Sequence, residues 1–314
     1  MEESRKKESK RHRRFAGLSK KGDGMDCSKC EALLRSVEMG SFSAAAEQLG
    51  YTASGVVRMV NALEAEMGFP LLNRGRTGVV LTSDGERLLP ALRQFVAAGD
   101  RALQLAAEVK GLCVGDLAIG TYYSVAAQWL PPILKEFQED YPKVRIHTLE
   151  GGNSDLLAWL EEGRADCCFF SETSWPGDWI PLKQDELVAW LPPDHPRAGD
   201  KAFPIKELDG APFIKTFPGC DTDIERLFAR EGLCPDIRFT TANDFTTYAM
   251  VEAGLGMGLD NRMISRKWSG RVVELPFDPP QYITLGVAVP SIQRASPATK
   301  KFISYARRMV GEMA

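Results

Sequence analysis

The apolar pattern of this chain changes period at Cys113. Before that point apolar residues recur at three- and four-residue spacing, as in helices; beyond it short strand-like runs alternate with helical segments. The 314 residues allow two domains of ordinary size. In the second part, Val114–Gly120 reads as a strand, followed by a helix from about Val125 to Tyr141, a strand at Val144–Leu149, a helix at Ser154–Glu162 and a strand at Ala165–Phe170. A second set has strands at Glu186–Leu191, Pro212–Ile214, Ile237–Thr240 and near Met257–Leu259, with helices at Asp221–Glu231 and Asp244–Ala253. A strand near Ile283–Val289 returns to the first set before a closing helix. Such alternation predicts an α/β fold with a mostly parallel sheet covered by helices.

In the first part, Leu33, Leu34 and Val37 mark the apolar stripe of a helix that stops at Gly40. Gly40-Ser41-Phe42-Ser43-Ala44-Ala45-Ala46-Glu47-Gln48-Leu49 then places a hydroxyl cap before an alanine-rich run, whose small side chains let another helix lie close. Gly50 ends it. From Ala53 to Glu64, Val56, Val60 and Leu63 recur at helical spacing, and Arg58 and Asn61 fall on another face. A small-residue helix, a tight turn and a second helix make a helix-turn-helix. After it, Gly68-Phe69-Pro70-Leu71-Leu72-Asn73-Arg74, Gly75-Arg76-Thr77-Gly78 and Val79-Val80-Leu81-Thr82 predict two short strands around a glycine-rich basic tip, a wing.

The run Gly-Ser-Phe-Ser-Ala-Ala-Ala, then Leu63-Glu64, Gly68, Pro70-Leu71-Leu72, Arg74, and Leu81-Thr82 with Gly85, resembles the winged helix-turn-helix of the LysR-type transcriptional regulators over about sixty residues. The chain departs from that pattern at Ala53, where such regulators often have Gln, and at Val57, where a Ser or Thr commonly contacts DNA. The resemblance implies an N-terminal DNA-binding domain at 25–85, a dimerisation helix at 86–112 and an effector-binding domain at 113–314. That last domain resembles the two-lobed fold of type 2 periplasmic binding proteins, with lobe I at 113–186 and 284–314 and lobe II at 187–283.

The amino end of a recognition helix enters the major groove, which points to Thr52, Ala53, Ser54, Gly55 and Arg58 as the residues that meet bases or phosphates. Arg74 and Arg76 at the wing are placed to reach the DNA backbone or minor groove. Residues 25–85 carry five Lys/Arg against seven Asp/Glu, so their acidic side chains are expected on faces away from DNA. Few basic contacts per subunit imply binding as a dimer or tetramer to double-stranded DNA, at an operator expected to be an inverted repeat.

From Ser83 to Leu112 the sequence reads as one long amphipathic helix, with Leu88, Leu92, Phe95 or Val96, Gly99, Leu103 and Ala106 on a stripe and Pro90 near its start. A stripe of this kind suits packing on a second copy; packing against its own domain is the alternative. Residues 1–24 hold nine Lys/Arg against four Asp/Glu without apolar periodicity or the h-region of a secretory signal. They read as a disordered basic tail, with Met25 an alternative start, and the chain is expected in the cytoplasm with reduced thiols. No apolar run is long enough for a membrane helix.

Ligands of open α/β sheets sit beyond the carboxyl ends of strands, between lobes. That rule selects Tyr123, Ser124, Gly152, Asn153, Ser171, Thr216 and Asp244 as effector-binding residues. Tyr122 and Tyr123 point opposite ways along an extended segment, so at most one is expected to face the cleft. Helix amino ends at Ser124, Ser154 and Asp244 would offer N–H donors, which suggests a small carboxylate-bearing effector.

Nothing in the sequence calls for catalysis, a metal or another cofactor. The three histidines, His12, His147 and His195, are not spaced as ligands and pair with no nucleophile motif. Cys27 and Cys30 form a lone pair without the second pair of a zinc site. Cys220 lies in a Gly-Cys-Asp turn like that of a peroxide-sensing branch of the family, but a resolving cysteine at comparable spacing is missing. The expected function is a sequence-specific DNA-binding regulator controlled by a small molecule; the alternative is a cytoplasmic binding protein without a regulatory DNA role.

Overall fold

A computed structural model describes residues 25–75, 78–217 and 222–313. The basic tail at 1–24, Arg76 at the wing tip and Cys220 lie outside the described residues. The chain divides into two compact units, 1–103 and 104–314.

The first unit begins with α1 (Cys27–Glu38), α2 (Phe42–Leu49) and α3 (Ala53–Met67). Each starts at a side-chain cap: Asp26, Ser41 and Thr52 accept from the backbone N–H three residues on. Gly50 and Gly68 close α2 and α3 in the left-handed conformation that glycine adopts at least cost. The buried face of α3 is Val56, Val60 and Leu63, packed with Leu33 and Ala46. The wing is an antiparallel pair, β1 (Leu72–Gly75) and β2 (Gly78–Leu81), and Val79 N–H donates to the Gly40 carbonyl at 2.9 Å, tying it to the turn after α1.

Helix α4 (Ser83–Val109) continues through Pro90. Its apolar stripe serves two ends differently. Leu88, Leu92, Phe95 and Val96 pack into the core of the first unit, the intramolecular alternative for that half. A Cβ at Gly99 would stand 2.6 Å from Cys27 Sγ, so this glycine sets how closely α4 approaches α1. Leu103 and Val109, at 71% and 89% exposure, leave the far end open for a partner.

The second unit contains β3 (Gly115–Thr121), α5 (Tyr123–Gln128), α6 (Leu130–Asp140), β4 (Val144–Glu150), α7 (Asn153–Glu161), β5 (Cys167–Ser171) and β6 (Asp178–Leu191). There follow β7 (Phe203–Pro204), β8 (Pro212–Thr216), α8 (Asp223–Glu231), β9 (Asp236–Thr241), α9 (Asp244–Glu252), β10 (Gly258–Asn261), α10 (Arg262–Ser265), β11 (Val273–Val289) and α11 (Pro297–Glu312). The main sheet runs β10-β6-β11-β5-β3-β4, with β7 beside β11. β3 pairs in parallel with β4 and β5, but β11 is antiparallel to β5 and β6, and β10 to β6. The sheet is therefore mixed rather than mostly parallel, because two long strands return along each other. β6 and β11 begin or extend well outside the segments Glu186–Leu191 and Ile283–Val289, crossing between two apolar cores. One core centres on Phe137, Phe169 and Phe302, the other on Phe203, Phe213 and Phe277.

The expected helix from Val125 to Tyr141 is two helices meeting at Trp129. Pro131 and Pro132 lack the N–H that would bond the carbonyls four residues back, which breaks the ladder. The Ala127 carbonyl so released accepts from Lys267 Nζ instead.

Gly85 in the first turn of α4 lies against the Leu71 carbonyl, which accepts from Thr82 N–H at 2.9 Å; a Cβ there would come within 2.3 Å of that oxygen. Gly85→Ala is expected to destabilise the first unit by about 1–3 kcal/mol, measured by urea unfolding, and unchanged stability would contradict this packing.

Candidate functional site

In the first unit the residues selected at the start of α3 share one outer surface. Ala53, Ser54 and Arg58 are exposed, and Gly55 is half-buried. Thr52 has a structural duty too: its hydroxyl accepts from Gly55 N–H at 3.1 Å and lies 3.2 Å from the Ser54 hydroxyl. Lys29 pairs with Glu66 at 2.6 Å, Arg35 with Glu38 at 2.8 Å and Arg74 with Glu64 at 2.7 Å. Arg58 makes no such pair among the described residues, so its charge is available to a ligand.

The Arg74 guanidinium donates to Asn61 Oδ1 at 2.5 Å and Glu64 Oε2 at 2.7 Å and lies 5.3 Å from the centre of the Phe42 ring. The other Glu64 oxygen accepts from Leu71 and Leu72 N–H at 2.7 and 2.9 Å. Glu64 and Arg74 thus join α3 to the wing through Nη2, and the Arg74 side chain stays 37% exposed.

In the second unit a cavity of about 700 Å³ opens at the strand ends. Tyr123, Ser124, Gly152, Asn153, Thr216 and Asp244 all line it. Ser171 does not; it is buried behind the wall, 3.2 Å from the Tyr122 hydroxyl, and accepts from Arg226 Nη2 at 2.9 Å. Tyr122 and Tyr123 both line the cavity, because the chain turns into α5 at Tyr123 and the strand alternation ends there. The Tyr122 hydroxyl donates to Asn153 Oδ1, and burial pushes its phenol up from the ordinary value.

The sequence reading missed Asp223, Phe245, Asp260 and Trp268, which also face the cavity. Asp260 was within reach of the strand-end rule, since it stands near the carboxyl end of β10. Trp268 was not, because its loop carries no local signal; its ring is 6.0 Å from Tyr123 and 5.4 Å from Phe245, and its indole N–H donates to the Tyr123 hydroxyl at 3.3 Å.

Of the helix amino ends expected to hold a carboxylate, two carry one side-chain contact each and that of α5 has no side-chain cap. Asp155 accepts from Gly152 N–H at 3.2 Å at the start of α7, and Asn243 accepts from Thr246 N–H at 2.8 Å at the start of α9. Asp244 and Asp260 share a hydrogen bond. Burial pushes the Asp244 carboxyl up to about 6, and burial together with the Asp244 charge pushes Asp260 well above the ordinary carboxylate range.

Among the described residues no group of three or more His, Cys, Asp or Glu is arranged to hold a metal ion, and no helix is long and apolar enough to cross a membrane.

Residues 28–86 match the model of bacterial regulatory helix-turn-helix proteins of the lysR family, and residues 111–311 match that of the LysR substrate binding domain. The chain belongs to the LysR family of transcriptional regulators. As a LysR-type regulator it joins a DNA-binding helix-turn-helix domain to an effector-binding domain. The HTH-type transcriptional regulator YvbU of Bacillus subtilis (strain 168) is 30% identical over 290 residues, spanning 91% of this chain and 99% of the relative. A full-length OxyR variant from Pseudomonas aeruginosa shares the fold with a TM-score of 0.74 at 20% identity, covering 92% of this chain and 95% of that one. Full-length CbnR, solved in complex with its target DNA, has a TM-score of 0.62 at 18% identity, covering 90% and 99%.

Because burial raises both Asp244 and Asp260 above their unfolded values, the pair costs stability that grows as pH rises above about 4. Asp244→Asn is therefore expected to raise the melting temperature at about pH 7, with the gap closing by about pH 4; an equal gap at both values would contradict the shared proton.

Proposed function

We propose that this LysR-type regulator binds an inverted-repeat operator through paired copies of α3, and that a small molecule between the two lobes shifts its affinity for that operator. Thr52, Ala53, Ser54, Gly55 and Arg58 meet the DNA, and Arg76 supplies a wing contact; Arg74 instead holds the wing to α3. The observation that carries the reading is Arg58: exposed on the recognition helix and without an acid partner among the described residues, while Lys29, Arg35 and Arg74 are paired. A charge left unneutralised on this surface is what a phosphate or a guanine edge requires.

The exposed apolar end of α4, with Leu103 and Val109, supports self-association into a dimer or tetramer. A twofold pair presents two recognition helices to two half-sites related by the same symmetry, hence the inverted repeat. The effector site is the cavity at the strand ends, with Tyr123, Ser124, Gly152, Asn153, Thr216 and Asp244 on its wall and Ser171 supporting Tyr122 from behind. The protein works in the cytoplasm and binds its effector without turning it over. A carboxylate-bearing effector is disfavoured, since Glu150, Asp155, Asp223, Asp244 and Asp260 line the cavity and no lysine or arginine is among its described walls.

The test is selection of genomic DNA fragments by the purified full chain at a stated salt concentration, beside Arg58→Ala. Enrichment of one or a few inverted-repeat sites, lost or weakened at least about tenfold in the variant, is the expected result. Absence of enrichment by a folded dimer would favour a binding protein without a regulatory DNA role.

A further inference from the structure

The cavity of the second unit is acidic. Glu150, Asp155, Asp223, Asp244 and Asp260 all line it, and no lysine or arginine is among its described walls. We propose that the effector of this regulator is a cation, a protonated amine carried on an apolar group, whose ammonium sits against Asp244 and Asp260 and whose apolar part lies on Tyr123, Phe245 and Trp268. The proposal rests on the reading of this cavity as the effector site.

The charges decide the sign of the ligand. Asp223 already has a partner in Arg226, which also donates to Ser171, so that guanidinium is committed to joining the walls. Glu150, Asp155, Asp244 and Asp260 form no ion pair among the described residues. Burying carboxylates without a counter-charge is costly, and the chain meets the cost at Asp244 and Asp260 by holding a proton between them. An ammonium can take that proton's place and satisfy both groups through several N–H donors. An anion entering the same space would meet these carboxyl groups with no lysine or arginine among the described lining residues.

The rings supply a second, independent feature. Trp268 is flanked by Tyr123 and by Phe245, the latter edge-on with an interplanar angle of 78°. Tyr123 and Phe245 are also 45% and 57% exposed, which leaves apolar surface uncovered in a space large enough for a small organic molecule. Aromatic faces beside carboxylates attract a cation through the ring quadrupole as well as through charge, and bury the attached apolar group.

The experiment is calorimetric titration of the full chain with three molecules of similar shape and different charge: 2-phenylethylamine, 2-phenylethanol and 3-phenylpropionate. The first is joined by 1,4-diaminobutane and benzylamine as further amines. At least one amine is expected to bind, and 2-phenylethylamine at least about tenfold more tightly than the alcohol, with the carboxylate weakest. Asp244→Asn and Asp260→Asn are each expected to weaken amine binding about tenfold and to leave the alcohol unaffected. The proposal is overturned if the carboxylate binds more tightly than the amine, if the three bind alike, or if none of the amines binds at millimolar concentration. Because operator selection is measured on the same protein without any of these compounds, loss of the amine preference leaves the regulator reading standing, and loss of operator selection leaves the preference of the cavity standing.

Discussion

The antiparallel pairing of β6 with β11 is the constraint on which the second unit depends. These strands run beside each other from Asp178 opposite Val289 to Leu191 opposite Val273, and in doing so pass from one apolar core to the other. The register is interrupted between Pro276 and Gln281, where neither Pro279 nor Pro280 can donate to the ladder. The cavity is lined by residues that follow both sets of strands; Trp268 contacts Tyr123 on its wall, and Arg226 joins Ser171 behind it. A ligand shifts an equilibrium between two arrangements only in proportion to its preference for one of them.

In the first unit one carboxylate has a comparable place. Glu64 projects from α3 and satisfies two backbone N–H groups at the entry to β1 together with the Arg74 guanidinium. Its acidity is therefore no obstacle to DNA binding, since its charge is spent inside the domain. The same holds for Glu66 and Glu38, each matched by a basic side chain. Net acidity over residues 25–85 conceals a surface on which Arg58 stands alone among the described basic residues of that stretch.

Much of this was legible in the sequence because local rules were enough. Hydroxyl and Asp caps, left-handed glycines and the Val56-Val60-Leu63 stripe fixed the first three helices, and strand ends located six of seven cleft residues on the cavity wall. What escaped depends on contacts distant in the chain. The pairing of Arg74 with Asn61 and Glu64 was not legible, because those partners lie on another element. The long strands were hidden because a strand running between two cores changes its burial pattern midway, from partly exposed to fully buried in β6. The sign of the cleft could not be read from helix amino ends, because it is set by carboxylates brought together from β4, α7, α8, α9 and β10.

The central claim is that the cavity and the operator surface are two sites of one equilibrium. Coupling of this kind is reciprocal by thermodynamic necessity: if a ligand changes operator affinity by some factor, operator must change ligand affinity by the same factor. The most direct measurement is therefore operator affinity of the full chain with and without a saturating cavity ligand, beside the affinity of that ligand with and without operator. The account predicts two equal factors that differ from one. A ligand that occupies the cavity and leaves operator affinity unchanged would contradict it.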